Sequence, residues 1–284
     1  MNRKNICFSL LVLSSILSSC GIKEISKEDA KVKALEIKEY LSSDSFVAPT
    51  KYTLNTKIVQ NRTITSSYGS DNISLVVEET SIYDGDSFSF YSGSTSTDGD
   101  EIINTEVWLY GENNVFYTVI SSNDQKVYFK INVEEGKMEE TFIENYNLFG
   151  FMIDPTLLSK QSIEQTLSLI EYSSEDFENR NYKDATLKFK SKGDNELITF
   201  FNYKTQLNEE AFGMITTGDV LIEQQITFKD NMLFSSKLVE DSDLDIIYNN
   251  ESYGKEISKK ETNSSFNYSA KFVKPNLSEF VEKK

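Results

Sequence analysis

From Tyr52 onward the chain is a succession of β-branched and aromatic segments, broken by turns too short to carry a parallel crossover. Tyr52 to Gln60, Ile73 to Tyr83, Ser87 to Ser92, Ile102 to Tyr110, Val115 to Ser122 and Lys126 to Val133 read as strands. The breaks are Asp84-Gly85-Asp86, Asp98-Gly99-Asp100, Gly111-Glu112-Asn113-Asn114, Ser122-Asn123-Asp124 and Glu135-Gly136-Lys137, whose residues tolerate positive φ or close their own turns. Parallel neighbours need a crossover of a dozen or more residues, so these strands pair antiparallel as a meander.

Helical periodicity interrupts the strands over residues 139–178. Phe142, Tyr146 and Phe149 fall at i, i+4 and i+7. Asp154 followed by Pro155 reads as an N-cap with proline at the first helical position, and Leu158, Ile163, Leu167 and Ile170 continue one face. Strands resume at Tyr182 to Lys190, Leu197 to Leu207, Val220 to Phe228, Met232 to Glu240, a weaker Leu244 to Asn249, and Phe266 to Val273. Asn250 to Ser265 is polar and reads as a loop, and the tail beyond Pro275 is expected to fray. Ahead of the strands, Ser26 with Asp29 opens a helix over Ser26 to Leu41, with Ala30, Ala34, Ile37 and Leu41 on one face.

Composition removes several chemistries. The 284 residues include no histidine, so imidazole bases, His-ligated metals and His-based pH switches are excluded. No Gly-x-Ser-x-Gly elbow, Walker loop or dinucleotide fingerprint occurs. With 45 Asp+Glu, carboxylate pairs arise by chance and single out no acid–base site, so the reading is non-catalytic and without cofactor. Those 45 acids against 29 Lys+Arg repel phosphates, which makes nucleic acid an unfit partner. Asp241, Asp243 and Asp245 start like a calcium loop, but Ile246 stands where glycine is needed and Ser252 where a bidentate Glu belongs, so no metal site is assigned. Loose calcium binding at the Asp-Gly-Asp turns stays open beside their plain hairpin role.

The N-terminus fixes where the protein works. Arg3 and Lys4 precede the mostly apolar run Ile6 to Leu17, which has the length of a secretory h-region and is too short to span a bilayer. Leu17, Ser18, Ser19, Cys20 and Gly21 follow, and they resemble the lipobox of bacterial lipoproteins. That resemblance implies cleavage after residue 19, diacylglycerol on the Cys20 sulfur, and a chain held by lipid at the extracytoplasmic face of the cell membrane. The alternative is an ordinary cleavable signal with a cysteine at its boundary by chance. Loss of Arg3 and Lys4 leaves 27 basic against 45 acidic residues, formally −18, and Cys7 leaves with the signal. An acylated Cys20 forms no disulfide, so the folded part depends on its own core. The tether over residues 20–25 reaches roughly 17 Å when extended, keeping the body close to the bilayer.

In order, the chain is signal (1–19), tether (20–25), helix, about six strands, a helical middle, and five or six more strands up to residue 273, with a polar tail over 274–284. This order is similar to that of the lipoprotein-carrier superfamily, the Lol-type carriers and the lipid-binding mycobacterial lipoproteins. The resemblance implies one α+β, mainly β domain over 26–273. It would be a curved antiparallel half-barrel of about eleven strands, with the N-terminal helix and mid-chain helical pair covering its concave face. The ligand it implies is a lipid or another apolar molecule held in the interior. Trp108 and Tyr110 share one strand face, and Phe149, Phe151 and Met152 lie in the uncharged stretch Leu148 to Ile153, so these five are the candidate lining. A filled core is the competing outcome, and it points to a structural or interaction lipoprotein whose acidic surface binds a protein partner or cation.

Replacing Cys20 with alanine should move the protein from the membrane to the soluble fraction without unfolding it, and should abolish metabolic labelling by palmitate. Two acyl chains hold a protein on a bilayer and no other anchor is expected.

Overall fold

The computed structural model describes residues 21–148, 153–193, 195–211, 213–249 and 251–283. The cysteine at position 20 and the residues Phe149, Phe151 and Met152 lie outside them.

Three of the four α-helices among the described residues start where the sequence supplies a cap. In α1 (Lys27–Ser42), the Ser26 hydroxyl oxygen accepts the Asp29 N–H at 3.0 Å, and Ala30, Ala34, Ile37 and Leu41 are buried. Helix α2 (Met138–Leu148) buries Phe142 and Tyr146. In α3 (Pro155–Glu171), the Asp154 carboxylate accepts the N–H groups of Thr156 and Leu157, and Ile163, Leu167 and Ile170 face inward. Ion pairs Lys31–Glu171 at 3.0 Å and Lys38–Glu164 at 2.9 Å join α1 to α3. The short α4 (Ser174–Asn179) opens with a reciprocal Ser173–Asp176 capping box, whose hydrogen bonds hold the Asp176 carboxyl below the usual carboxylate range.

Among the described residues thirteen strands form one open sheet, ordered β1-β8-β9-β10-β11-β12-β2-β3-β4-β5-β6-β7-β13. Two are short edge pieces, β1 (Lys23–Ile25) and β13 (Val281–Glu282). The other eleven make two meanders. The first comprises β2 (Lys51–Ser66), β3 (Gly69–Asp84), β4 (Ser89–Asp98), β5 (Glu101–Glu112), β6 (Val115–Ser122) and β7 (Gln125–Asn132). The second comprises β8 (Lys183–Ser191), β9 (Glu196–Ala211), β10 (Met214–Lys229), β11 (Met232–Tyr248) and β12 (Glu251–Asn267). The meanders fuse where β12 pairs antiparallel with β2, from Asn267 opposite Thr53 to Gly254 opposite Ser66.

Helices α1, α2 and α3 lie on one face of the sheet, the inner face, at one end of the strands, the proximal end. Against α1 and α3 pack Tyr52, Leu54, Phe189, Leu197, Ile226, Phe228 and Phe266; against α2 pack Phe90, Val107, Leu109 and Phe116. Strands of 16 or 17 residues reach roughly 50 Å, well past any helix. Their distal halves are polar and rely on cross-strand ion pairs: Arg62–Glu256 at 2.6 Å, Lys255–Asp243 at 2.8 Å and Lys260–Glu240 at 3.6 Å.

Of Asn250 to Ser265, expected as a loop, the described residues 251–265 are therefore almost the whole of β12. It lacks apolar alternation because its distal stretch has no core to face, so ion pairs and ladder hydrogen bonds take the place of burial. The expected strand Phe266 to Val273 stops at Asn267, after which the chain leaves the sheet. The tail does not fray. It crosses the outer face, with Phe272 against Tyr110, Phe280 edge-on to Trp108, Lys274 on Glu112 at 2.7 Å, and Val281 pairing in parallel with Val127.

Phe142→Ala should destabilise the protein by about 3–5 kcal/mol in urea unfolding, because it empties the centre of the aromatic cluster under α2. Lys259→Ala, on the exposed outer side of β12, should change stability by less than about 0.5 kcal/mol.

Candidate functional site

The inner face, where an interior ligand was expected, is occupied by the protein's own rings. Phe142 and Tyr146 stack at 5.8 Å, Tyr146 meets Phe90 edge-on at 4.9 Å, and Tyr52 stacks on Tyr83 at 5.3 Å. The Tyr52 hydroxyl donates to the Ile153 carbonyl at 2.8 Å and lies 3.1 Å from the Tyr146 hydroxyl, so this layer is hydrogen-bonded as well as packed. Burial and the neighbouring Tyr146 raise the Tyr52 pKa far above the ordinary phenol value.

Trp108 and Tyr110 sit together on β5, yet on the outer face. Val107 and Leu109, which alternate with them, are the ones that point to α2. Trp108 lies opposite Val119 beneath Phe280, and Tyr110 stacks on Tyr117 at 4.9 Å beneath the tail. Strand alternation, read correctly, put the two on one face; what the sequence did not disclose was that the C-terminal tail covers that face. The Asp-Gly-Asp turn at Asp84 also has an occupant within the chain: the Lys51 ammonium donates to Asp84 at 3.1 Å and Asp86 at 3.2 Å. Asp243, from the Asp241–Asp245 run, pairs with Lys255. Among the described residues, no cluster of three or more Cys, Asp or Glu side chains is arranged to hold a metal ion.

Open space lies instead at the proximal ends of β11 and β12. A cleft of about 790 Å³ runs between the connection 43–50, the β10–β11 hairpin and the start of the tail. The Ser43 hydroxyl donates to the Tyr40 carbonyl at 2.8 Å, ending α1, and the turn brings Phe46 edge-on to Tyr40 at 5.5 Å. Across the cleft, Asp230 and Asn231 have φ of 51° and 64°, the left-handed pair that a two-residue hairpin requires. A bulge follows, since Phe228 faces Leu233 while Thr227 faces Ser235, and the extra residue is Phe234. The bulge lets Met232 and Leu233 both enter the core and turns Phe234 outward, where Lys229 caps its ring at 5.3 Å. Tyr268 closes the third side: its hydroxyl donates to the Leu233 carbonyl at 2.6 Å and its ring stacks on Phe266.

The cleft continues onto the outer face as a polar groove of about 460 Å³, sharing Asn55 and Ser265 with it. Strand register builds the groove floor. Gln225, Lys237, Asn263, Lys57 and Glu78 lie directly opposite one another in a row across five strands, and Ser235, Ser265, Asn55 and Thr80 form the next row. The two lysines are paired, Lys57 with Glu78 at 2.6 Å and Lys237 with Glu261 at 2.9 Å. Hydrogen bonds from Asn263 and then Lys237 hold the Glu261 carboxyl below its ordinary range.

None of the residues lining the apolar cleft was singled out in the sequence. One signal was present: Met232-Leu233-Phe234 is apolar at three consecutive positions, which a regular strand with one covered face does not need and a bulge explains. Compared with protein-family models, curated proteins and solved structures, the chain matches none.

Burial pushes the phenols of Tyr268, Tyr110 and Tyr91 up to about 12. A group whose pKa is higher folded than unfolded contributes fully below the unfolded value and loses that contribution as pH rises through the folded one. Stability should therefore be insensitive to these tyrosines below about pH 10 and fall between about pH 10 and 12, the unfolded and folded values. Tyrosinate absorbance should rise together with loss of near-UV circular dichroism.

Proposed function

We propose that the protein is a non-catalytic, membrane-anchored lipoprotein of the extracytoplasmic face that holds a lipid or lipid-like apolar ligand in the proximal cleft. The sheet is read as a half-barrel whose helix-covered side is filled and whose ligand sits outside it. The carrying observation is the cleft itself: about 790 Å³ walled by Phe46, Val47, Pro49, Met232, Phe234, Phe266 and Tyr268, with Asn55, Lys229, Asp230 and Ser265 among its polar atoms. A mainly apolar concavity with a few placed polar groups in this size range is the usual form of a small-molecule site.

The position of β1 supports the reading. Lys23 pairs with Ser191 at the proximal end of β8, and its strand β1 is four inter-strand steps from β11, or roughly 19 Å. Cys20 is three residues before Lys23, a reach of at most roughly 10 Å. Acylated there, the protein presents the cleft end of its sheet to the bilayer, where an apolar ligand is taken up or delivered. The opposite end favours a second reading, binding of a protein partner. Tyr68, 86% exposed, lies 6.2 Å from Tyr253 and caps the distal hairpins together with Tyr248.

The test uses the full mature chain carrying Cys20→Ala. Native mass spectrometry should show a co-purified lipid, and a fluorescent fatty acid should bind. Phe234→Ala should weaken that binding at least about tenfold through lost apolar burial, while Trp108→Ala, under the tail, leaves it unchanged. A homogeneous ligand-free mass with no probe uptake overturns the proposal.

A further inference from the structure

The polar groove narrows the ligand class, on the reading that the adjoining cleft takes an apolar chain. A molecule whose chain enters between Phe46 and Phe234 must pass its other end over Asn55 and Ser265, the residues that both concavities share. Beyond them the groove offers no unpaired cation to a phosphate. Lys57 and Lys237 are bound to Glu78 and Glu261. Glu78 and Glu261, the two carboxylates at or beside the floor, neutralise these ammonium groups and disfavour a second anion. What remains is a set of neutral amides and hydroxyls, from Asn55, Thr80, Gln225, Ser235, Asn263 and Ser265, each both donor and acceptor. Alcohol hydroxyls have the same dual character, whereas phosphate and carboxylate oxygens are acceptors only.

We infer that the ligand is an amphiphile with an uncharged polyhydroxyl headgroup, a glycolipid, whose acyl part fills the apolar cleft and whose sugar lies on Gln225 and Asn263 of one row and Asn55 of the next. Lys229 does not redirect this choice, because its ammonium sits over the Phe234 ring on the apolar side of the shared boundary.

The experiment compares three probes on the full mature chain carrying Cys20→Ala: a monoglycosyl diacylglycerol, phosphatidylglycerol with the same acyl chains, and a fluorescent fatty acid. The glycolipid should bind at least about tenfold more tightly than phosphatidylglycerol, the scale expected from one or two satisfied hydrogen bonds plus avoided repulsion. Asn263→Ala should reduce glycolipid affinity about fivefold or more and leave fatty-acid uptake unchanged. Gln225→Ala, two strands away, should give the same separation independently. Phosphatidylglycerol binding as tightly as the glycolipid, or both variants leaving glycolipid affinity unchanged, overturns the headgroup assignment while the cleft reading stands. Failure of all three probes overturns both.

Discussion

The antiparallel pairing of β12 with β2 is the constraint on which the rest depends. It joins residues near 54–66 to residues near 254–266, and without it the chain is two meanders with two additional exposed edges. This seam has little apolar surface to draw on away from Leu54 and Phe266. Ladder hydrogen bonds and charged cross-strand partners such as Arg62 and Glu256 set its register in the distal half. A one-residue slip would exchange the two faces. Leu54 and Phe266 would leave the core, and the rows that form the polar groove would lose Asn263 opposite Lys57 and Ser265 opposite Asn55. The groove is thus a product of the seam: two of its five strands belong to one meander and three to the other.

How legible this was in the sequence follows from where each element sits. Helix α1 and the start of α3 were readable almost to the residue because Ser26 and Asp154 are local signals and the buried positions repeat at helical spacing. The proximal strands were readable because one face meets a core. Strand β12 was misread for the opposite reason: Lys259, Lys260, Glu256 and Glu261 alternate no apolar residue with a polar one, and their partners on the β2 side are about two hundred positions away, beyond any local pattern. The candidate lining fared likewise. Trp108 and Tyr110 do share a face, but the cover over them comes from Phe272 and Phe280, a contact no strand periodicity reveals. Phe234, the ring that most defines the cleft, is exposed by a bulge that depends on the register between β10 and β11.

The two sides of the sheet have different physical roles. Inside, aromatic stacking around Phe142 and Tyr146 and the Tyr52 hydrogen bonds supply rigidity among described residues that include no cysteine. Outside, the connection after α1, the β10–β11 hairpin and the tail leave room between rigid walls, so the cleft is held open by elements that are each anchored in the core. Acylation at Cys20, three residues from β1, would place that opening beside the bilayer and send the tyrosine-tipped distal hairpins away from it. The arrangement suits the proposed exchange of an amphiphile with the membrane, with strands roughly 50 Å long carrying their polar distal halves outward.

Amide hydrogen exchange, read by mass spectrometry with and without a monoglycosyl diacylglycerol, tests this account most directly. Peptides covering 54–66 and 254–266 should be protected together in the free protein, and the lipid should deepen protection around Asn55, Phe234 and Asn263 while leaving Phe142 and its neighbours unchanged. Rapid exchange across 254–266, or protection gained only beneath α2, would contradict it.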